Sequence, residues 1–276
     1  MSDDVTEPVG LAARCSVDGA EISIETSAGV HNAYAAFQLS QESPVVPLNA
    51  GWQGFIAPGG GSGATALVLL SCENWSAKEG SGILVMADPP AGAKVTESTR
   101  LQLARVATGT ARRAAQKTGC ATETKEEGKA GELTAPAATA KTVPAGNATG
   151  TCKGMTSAKT VRETAAGVSP VEECLLVGGL QLTAAYGPFS NSSDAVVDGE
   201  YGGHDSPSGV ERSTAWTSAA CQGALGVGYY RASPVEGSDR EFSADPLTKE
   251  ERQDLEHFAE QSAARHACST PKALPR

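Results

Sequence analysis

Apolar and polar side chains alternate residue by residue in Ala20-Glu21-Ile22-Ser23-Ile24-Glu25 and again in Leu180-Gln181-Leu182-Thr183-Ala184. Alternation at period two marks strands with one buried face. Each run follows a turn signal, Asp18-Gly19 in one case and Gly178-Gly179 in the other. Such dipeptides suit the positive φ angles of a two-residue hairpin. Before each turn stands a cysteine-bearing strand, Cys15-Ser16-Val17 and Cys174-Leu175-Leu176-Val177. Continuous apolar runs then predict more deeply buried strands over 65–72, 83–87, 214–221 and 224–230. Where the period changes to three and four, helices are expected. One spans about 97–118, with Leu101, Ala104, Ala107, Ala111 and Ala114 along one side. The other starts at Thr248-Lys249-Glu250-Glu251, a capping box in sequence form. It carries Leu255, Phe258, Ala259, Ser262, Ala263 and His266 as a core-facing stripe. Glu250, Glu251 and Asp254 near its start and Arg265 near its end suit the helix dipole.

These elements come twice in the same order. A strand ending in Cys72 is followed by a helix ending in Cys120, 48 residues on. A strand ending in Cys221 is followed by a helix ending in Cys268, 47 residues on. This reads as an internal duplication. The expected fold class is α+β, with two tandem copies of a small antiparallel sheet of about four strands and helices packed on one face. The first copy occupies 1–120 and the second 152–276. Between them, 121–151 is rich in Ala, Thr, Lys, Glu, Gly and Pro, the composition of a flexible linker. The second copy also opens with 152–167, read as a short helix that Thr156 or Ser157 caps and Gly167 ends. Nothing in the first copy matches Cys152, yet Met1-Ser2-Asp3-Asp4-Val5 resembles Met155-Thr156-Ser157-Ala158-Lys159-Thr160-Val161. The first copy is therefore expected to be truncated at its start, with a further cysteine and an export or anchoring segment upstream of Met1. Coding sequence upstream of Met1 tests this; a stop codon directly before it would sink the idea.

The 276 residues suffice for two domains. With 31 Gly and 15 Pro the chain is turn-rich, and with 5% aromatics its cores must be built of aliphatic residues. A net charge of −10 argues against nucleic acid and against a polybasic membrane-surface site. No apolar run of about 18 residues is present, so no membrane span is expected. The acidic N-terminal residues lack the regions of a signal peptide, which taken alone means a cytosolic chain. The cysteines argue the other way.

Seven cysteines allow many connectivities. The repeat selects one: Cys72–Cys120, Cys221–Cys268 and Cys152–Cys174, leaving Cys15 unpaired. Disulfides of this kind persist outside the cytosol; the competing reading is seven reduced, buried thiols. A metal site is not expected. There is no Cys-x-x-Cys, and His31, His204, His257 and His266 are scattered. His266 with Cys268 is the one metal-ligating pair, but a histidine at a helix end commonly serves the dipole.

Other motifs are weaker. Gly59-Gly60-Gly61-Ser62-Gly63-Ala64-Thr65 lacks the lysine and following helix of a phosphate loop. Gly223-Ala224-Leu225-Gly226-Val227-Gly228 lies in a strand and is no dinucleotide fingerprint. Tyr201-Gly202-Gly203-His204-Asp205-Ser206 gathers catalytic residue types, but adjacent side chains point apart and no nucleophile elbow is present. A surface loop is the expected reading there, with His204 and Asp205 as candidate ligand contacts. Trp75 and Trp216 flank the equivalent Cys72 and Cys221. They read as core or rim aromatics packing near disulfides; Trp52, in a Gly-rich loop, is the better candidate for exposed ligand contact, with Trp216 as the other.

From Cys152-Lys153-Gly154-Met155 through Val171-Glu172-Glu173-Cys174 to Leu180-Gln181-Leu182-Thr183, the chain resembles the duplicated cysteine-bearing ectodomains of uncharacterised actinobacterial envelope proteins and lipoproteins. The resemblance covers about half the chain. It implies an extracytoplasmic location, secreted or anchored, and brings no catalytic residues. The expected function is a non-enzymatic cell-envelope module that binds a protein partner or small ligand without a cofactor, its two copies packed as an intramolecular pseudo-dimer. The alternatives are an extracytoplasmic hydrolase using the 187–212 loop and a structural wall-associated spacer. Binding predicts an apolar cleft between the copies near Trp52 or Trp216. Catalysis predicts His204 facing a buried carboxylate and a hydroxyl. A spacer predicts neither.

Overall fold

The computed structural model describes residues 13–26, 44–57, 63–75, 82–122, 133–137, 139–190, 206–235 and 238–275. Asp18 and Gly19 both take positive φ, 51° and 79°, and close β1 (Ala13–Val17) onto β2 (Ala20–Thr26). The same sheet holds β3 (Val46–Pro47), β4 (Gly54–Ala57), β5 (Thr65–Ser71) and β6 (Gly82–Asp88), in the order β1-β2-β6-β5-β4-β3. All its pairings are antiparallel.

Among the described residues the second sheet has seven strands in the order β11-β12-β13-β10-β9-β8-β7, again antiparallel throughout. They are β7 (Lys141–Pro144), β8 (Thr160–Glu163), β9 (Val171–Leu176), β10 (Leu180–Tyr186), β11 (Ser208–Glu211), β12 (Thr214–Ala220) and β13 (Val227–Pro234). Only Gly178 of the Gly178-Gly179 pair has positive φ, so the β9–β10 turn is not the two-residue form found at Asp18-Gly19. Each sheet contains four strands in one shared arrangement: β1-β2-β6-β5 in the first, β9-β10-β13-β12 in the second. The strand counts of six and seven exceed the expected four because extra strands are added at the margins.

Two helices follow these four-stranded units. In α1 (Glu97–Thr118), the hydroxyl of Thr96 accepts the N–H of Thr99, and Gly119 ends the helix at φ 67°. In α2 (Lys249–Arg265) both halves of the capping box form: Thr248 Oγ1 accepts from the Glu251 N–H, and Glu251 Oε2 from the Thr248 N–H. The helix expected over 152–167 is absent. Asp254 of α2 accepts the N–H groups of Thr156 and Ser157, at 2.8 and 2.9 Å, together with both hydroxyls. The Glu163 carboxylate takes the N–H groups of Thr149, Gly150 and Cys152. Amides satisfied by carboxylates have no need of a helix, and the segment turns and then enters β8. Part of the expected linker is likewise ordered: 141–144 form β7, and Leu133, Ala145 and Ala148 are buried.

The layers follow from the alternation of side chains. Ala66, Val68 and Leu70 of β5, with Ile83, Val85 and Ala87 of β6, pack under Ala104, Ala107 and Ala111 of α1. Leu67, Leu69 and Leu84 point to the other face, into a core shared with the second sheet, where Phe55 meets Phe189 edge-on at 5.5 Å. The far face of the second sheet carries Leu182, Ala184, Tyr186 and Tyr230 against Leu255, Phe258 and Ala259 of α2. The order of layers is helix, sheet, sheet, helix. Gly82 permits close approach at this seam: a Cβ there would lie 2.3 Å from the Leu70 carbonyl oxygen and 2.6 Å from the Ala224 Cβ.

Disulfides join Cys72 to Cys120, Cys221 to Cys268 and Cys152 to Cys174. The first two tie the end of the third strand of each four-stranded unit to the end of its helix. Cys15, on the exposed edge strand β1, is free.

Candidate functional site

Two polar assemblies stand out: one sealed inside the second sheet, one open at the seam between the sheets. The sealed one centres on Glu172, 2% exposed. Glu172 accepts from Ser262 Oγ at 2.9 Å, Arg265 Nε at 3.2 Å and His266 Nε2 at 3.2 Å, and pairs with Arg265 Nη2. The Tyr186 hydroxyl lies 2.6 Å from Ser262 Oγ, and its ring stacks on His266. Burial pushes the Glu172 carboxyl up, but the bonds from His266 and Arg265 outweigh it and hold the group below the usual range. The same burial raises Tyr186 and Tyr230. A histidine, a carboxylate and a serine are thus together, yet both His266 and Ser262 address Glu172, so the serine faces the carboxylate and not the histidine. Ser262 is wholly buried. The assembly anchors α2 to β9.

The open assembly lies where β3 and β4 of the first sheet approach β7 and β8 of the second. A cleft of about 400 Å³ opens there, beside the first turn of α1. Its apolar wall includes Val46, Ile56, Ala57 and Val95. Its polar groups are Arg100, Arg162, Thr139 and Thr142, and no described lining residue is acidic. Thr142 and Arg162 are directly opposed across the β7–β8 pair. Arg100 Nε donates to the Pro136 carbonyl at 3.1 Å, which fixes that side chain. Arg162 Nε and Nη2 are buried and make no hydrogen bond.

Behind the cleft, Glu173 joins the sheets. Its carboxylate accepts the Val45 N–H and the Gln181 side-chain amide, each at 2.9 Å. Burial pushes Glu173 up to about 7, against the lowering effects of the Val45 bond, Arg231, the Gln181 bond and Arg162. Since Val45 sits between the lining residues Pro44 and Val46, Glu173 also holds one wall of the cleft in place.

The expected ligand contacts are placed elsewhere. Trp52 is fully buried under α1 with the Arg112 guanidinium 5.2 Å from its ring, and does not line the cleft. Trp216 is 2% exposed; its ring covers Gly209 and its Nε1 donates to the Ser206 carbonyl. Both serve the core, because large rings fill space between a sheet and its cover. The cleft between the sheets exists, but it is lined by two arginines rather than by tryptophan. His204 and Asp205 lie outside the described residues. Cys268 is consumed by its disulfide, which removes the His266–Cys268 pair as metal ligands. Among the described residues no cluster of metal-ligating side chains is found.

Arg100, Arg162, Glu172 and Glu173 were not singled out by the sequence. The signal was there in part: Glu172-Glu173 interrupts an apolar strand, and adjacent acids in a strand buried on both faces must each find partners. Comparison with known protein families, curated proteins and solved structures finds no match to this chain.

Proposed function

We propose that the protein is a non-enzymatic extracytoplasmic module of the cell envelope that binds a small ligand in the cleft between its two sheets. The observation that carries this reading is the cleft itself. Its volume falls within the ~300–1,000 Å³ common for small-molecule sites. Its walls come from separate layers held by buried contacts, so the site is preformed. Three disulfides support a location outside the cytosol, and among the described residues no helix is long and apolar enough to cross a membrane. The shared four-strand arrangement, with a helix and an equivalent disulfide after each, supports an internal duplication whose copies pack as a pseudo-dimer. The likeness to actinobacterial envelope ectodomains is consistent with the same setting.

Ala140→Phe, which fills the cleft from its rim, tests the reading. A ligand panel is screened by thermal shift against the wild-type and substituted proteins. Compounds that stabilise the wild type and not A140F support a binding module. If every stabilising compound acts equally on both, the cleft is not the site. Turnover of an ester or amide panel that is lost in His204→Ala would instead favour the hydrolase.

A further inference from the structure

The geometry points to an amphipathic organic acid as the ligand of the cleft: an apolar body against Val46, Ile56 and Val95, with a single carboxylate held by Arg162 and Arg100. This inference rests on the binding-module reading and adds the chemical class of the ligand.

Four observations carry it. First, the protein has a net charge of −10, yet the described lining of the cleft contains two arginines and no acid. A concave, low-dielectric site with one sign of charge concentrates ligands of the opposite sign. Second, Arg162 lines the cleft, and its Nε and Nη2, buried just beneath that lining, make no hydrogen bond. These two adjacent N–H edges form a planar fork of the kind that receives both oxygens of a carboxylate, and a small rotation of the guanidinium turns it toward the cleft. Buried donors left without a partner cost free energy, and a bound anion removes that cost. Third, Arg162 makes no direct ion pair among the described residues. Glu173 interacts with it through space, but the Glu173 oxygens are bonded to Val45 and Gln181, not to Arg162. Fourth, the rest of the wall is aliphatic. Bare phosphate would leave Val46, Ile56, Ala57 and Val95 unused, whereas an aliphatic chain buries them at roughly 25 cal/mol per Å². Thr139 and Thr142 add hydroxyl-bearing side chains to the same lining.

The test is isothermal titration of the full-length, disulfide-intact protein with octanoate, with octanamide as an uncharged analogue, and with inorganic phosphate. Arg162→Met and Arg100→Met, which keep the stem and remove the charge, are titrated alongside, with Arg162→Lys as a further variant. Octanoate is expected to bind at one site, at least 10-fold more tightly than octanamide or phosphate. Arg162→Met should weaken octanoate at least 10-fold and leave octanamide unchanged. Arg162→Lys should recover only part of the loss, since an ammonium cannot offer a fork. Equal binding of octanoate and octanamide, or octanoate binding indifferent to both arginines, overturns the carboxylate assignment while the binding module stands. Phosphate binding more tightly than octanoate overturns the apolar body. No binding of any probe to the wild type, with A140F behaving like the wild type against the wider panel, overturns both readings together. Circular dichroism and melting temperature of each variant separate lost binding from lost folding.

Discussion

Glu173 of β9 accepts the backbone N–H of Val45 across the seam between the two sheets, at 2.9 Å and 128 residues away in sequence. A carboxylate fully buried between layers is thus part of what holds the two halves in register. Its charged form is disfavoured by that burial, which raises it to about 7 from 4.5.

The folded state therefore keeps a proton on Glu173 that the unfolded chain loses near pH 4.5. Between pH 4.5 and 7 the native state binds more protons, so stability falls as pH rises through that window. From pH 5 to pH 8 the loss attributable to Glu173 is about 2 to 3 kcal/mol. Urea denaturation of the wild type and Glu173→Gln across this range checks it. The stability difference between the two proteins should change by that amount, in favour of the substituted protein at high pH. Parallel pH profiles would remove the assignment.

Glu172, the preceding residue, has the opposite behaviour. Its carboxyl is held below the usual range, so the stability it contributes is present above pH 4.5 and lost as pH falls below it. Glu172→Ala leaves Arg265 and Ser262 without their buried partner and should cost about 3 to 5 kcal/mol. Chemical denaturation at pH 7 measures this. Tyr186→Phe, which removes the hydroxyl's bonds to Ser262 and Tyr230, should cost about 1 to 2 kcal/mol.

Asp254 collects four hydrogen bonds from Thr156 and Ser157. Asp254→Ala should destabilise the protein by about 1 to 3 kcal/mol. Hydrogen exchange should localise the effect, with the amides of Thr156 and Ser157 losing protection while those in β10 keep it. Uniform loss across the second sheet would mean that Asp254 serves a wider role than fixing this turn.

Local patterns were legible where a residue's surroundings are set by its near neighbours. The α1 limits, both halves of the α2 capping box and the buried stripe from Leu255 to His266 all follow from helical spacing. The β2 and β10 alternation and the Asp18-Gly19 turn follow from period two. What escaped depends on partners far along the chain. Thr156 and Ser157 carry a helix-start signal that Asp254, about 100 residues later, diverts. β7 lies in a stretch poor in large apolar residues and forms because β8 offers it an edge to pair with. Arg100 and Arg162 are unremarkable in sequence and meet at one cleft only through the packing of two sheets. The Gly-rich surroundings of Trp52 suggest an exposed ligand contact, but the ring is fully buried under α1; the place of Trp216 beside Cys221 suits the core, and Gly209 makes room for its ring.

Disulfide mapping of protein recovered from its natural source, alkylated at lysis and digested without reductant, tests the central claim most directly. That claim is a twofold-repeated fold, fixed by strand-to-helix disulfides, working outside the cytosol. Each of the two longer bridges closes a loop worth roughly 4 kcal/mol in the chain-entropy model, so their presence is no minor detail of stability. The account predicts linked peptides for Cys72–Cys120, Cys152–Cys174 and Cys221–Cys268, with Cys15 alone alkylated. Alkylated thiols at both Cys221 and Cys268 would contradict it.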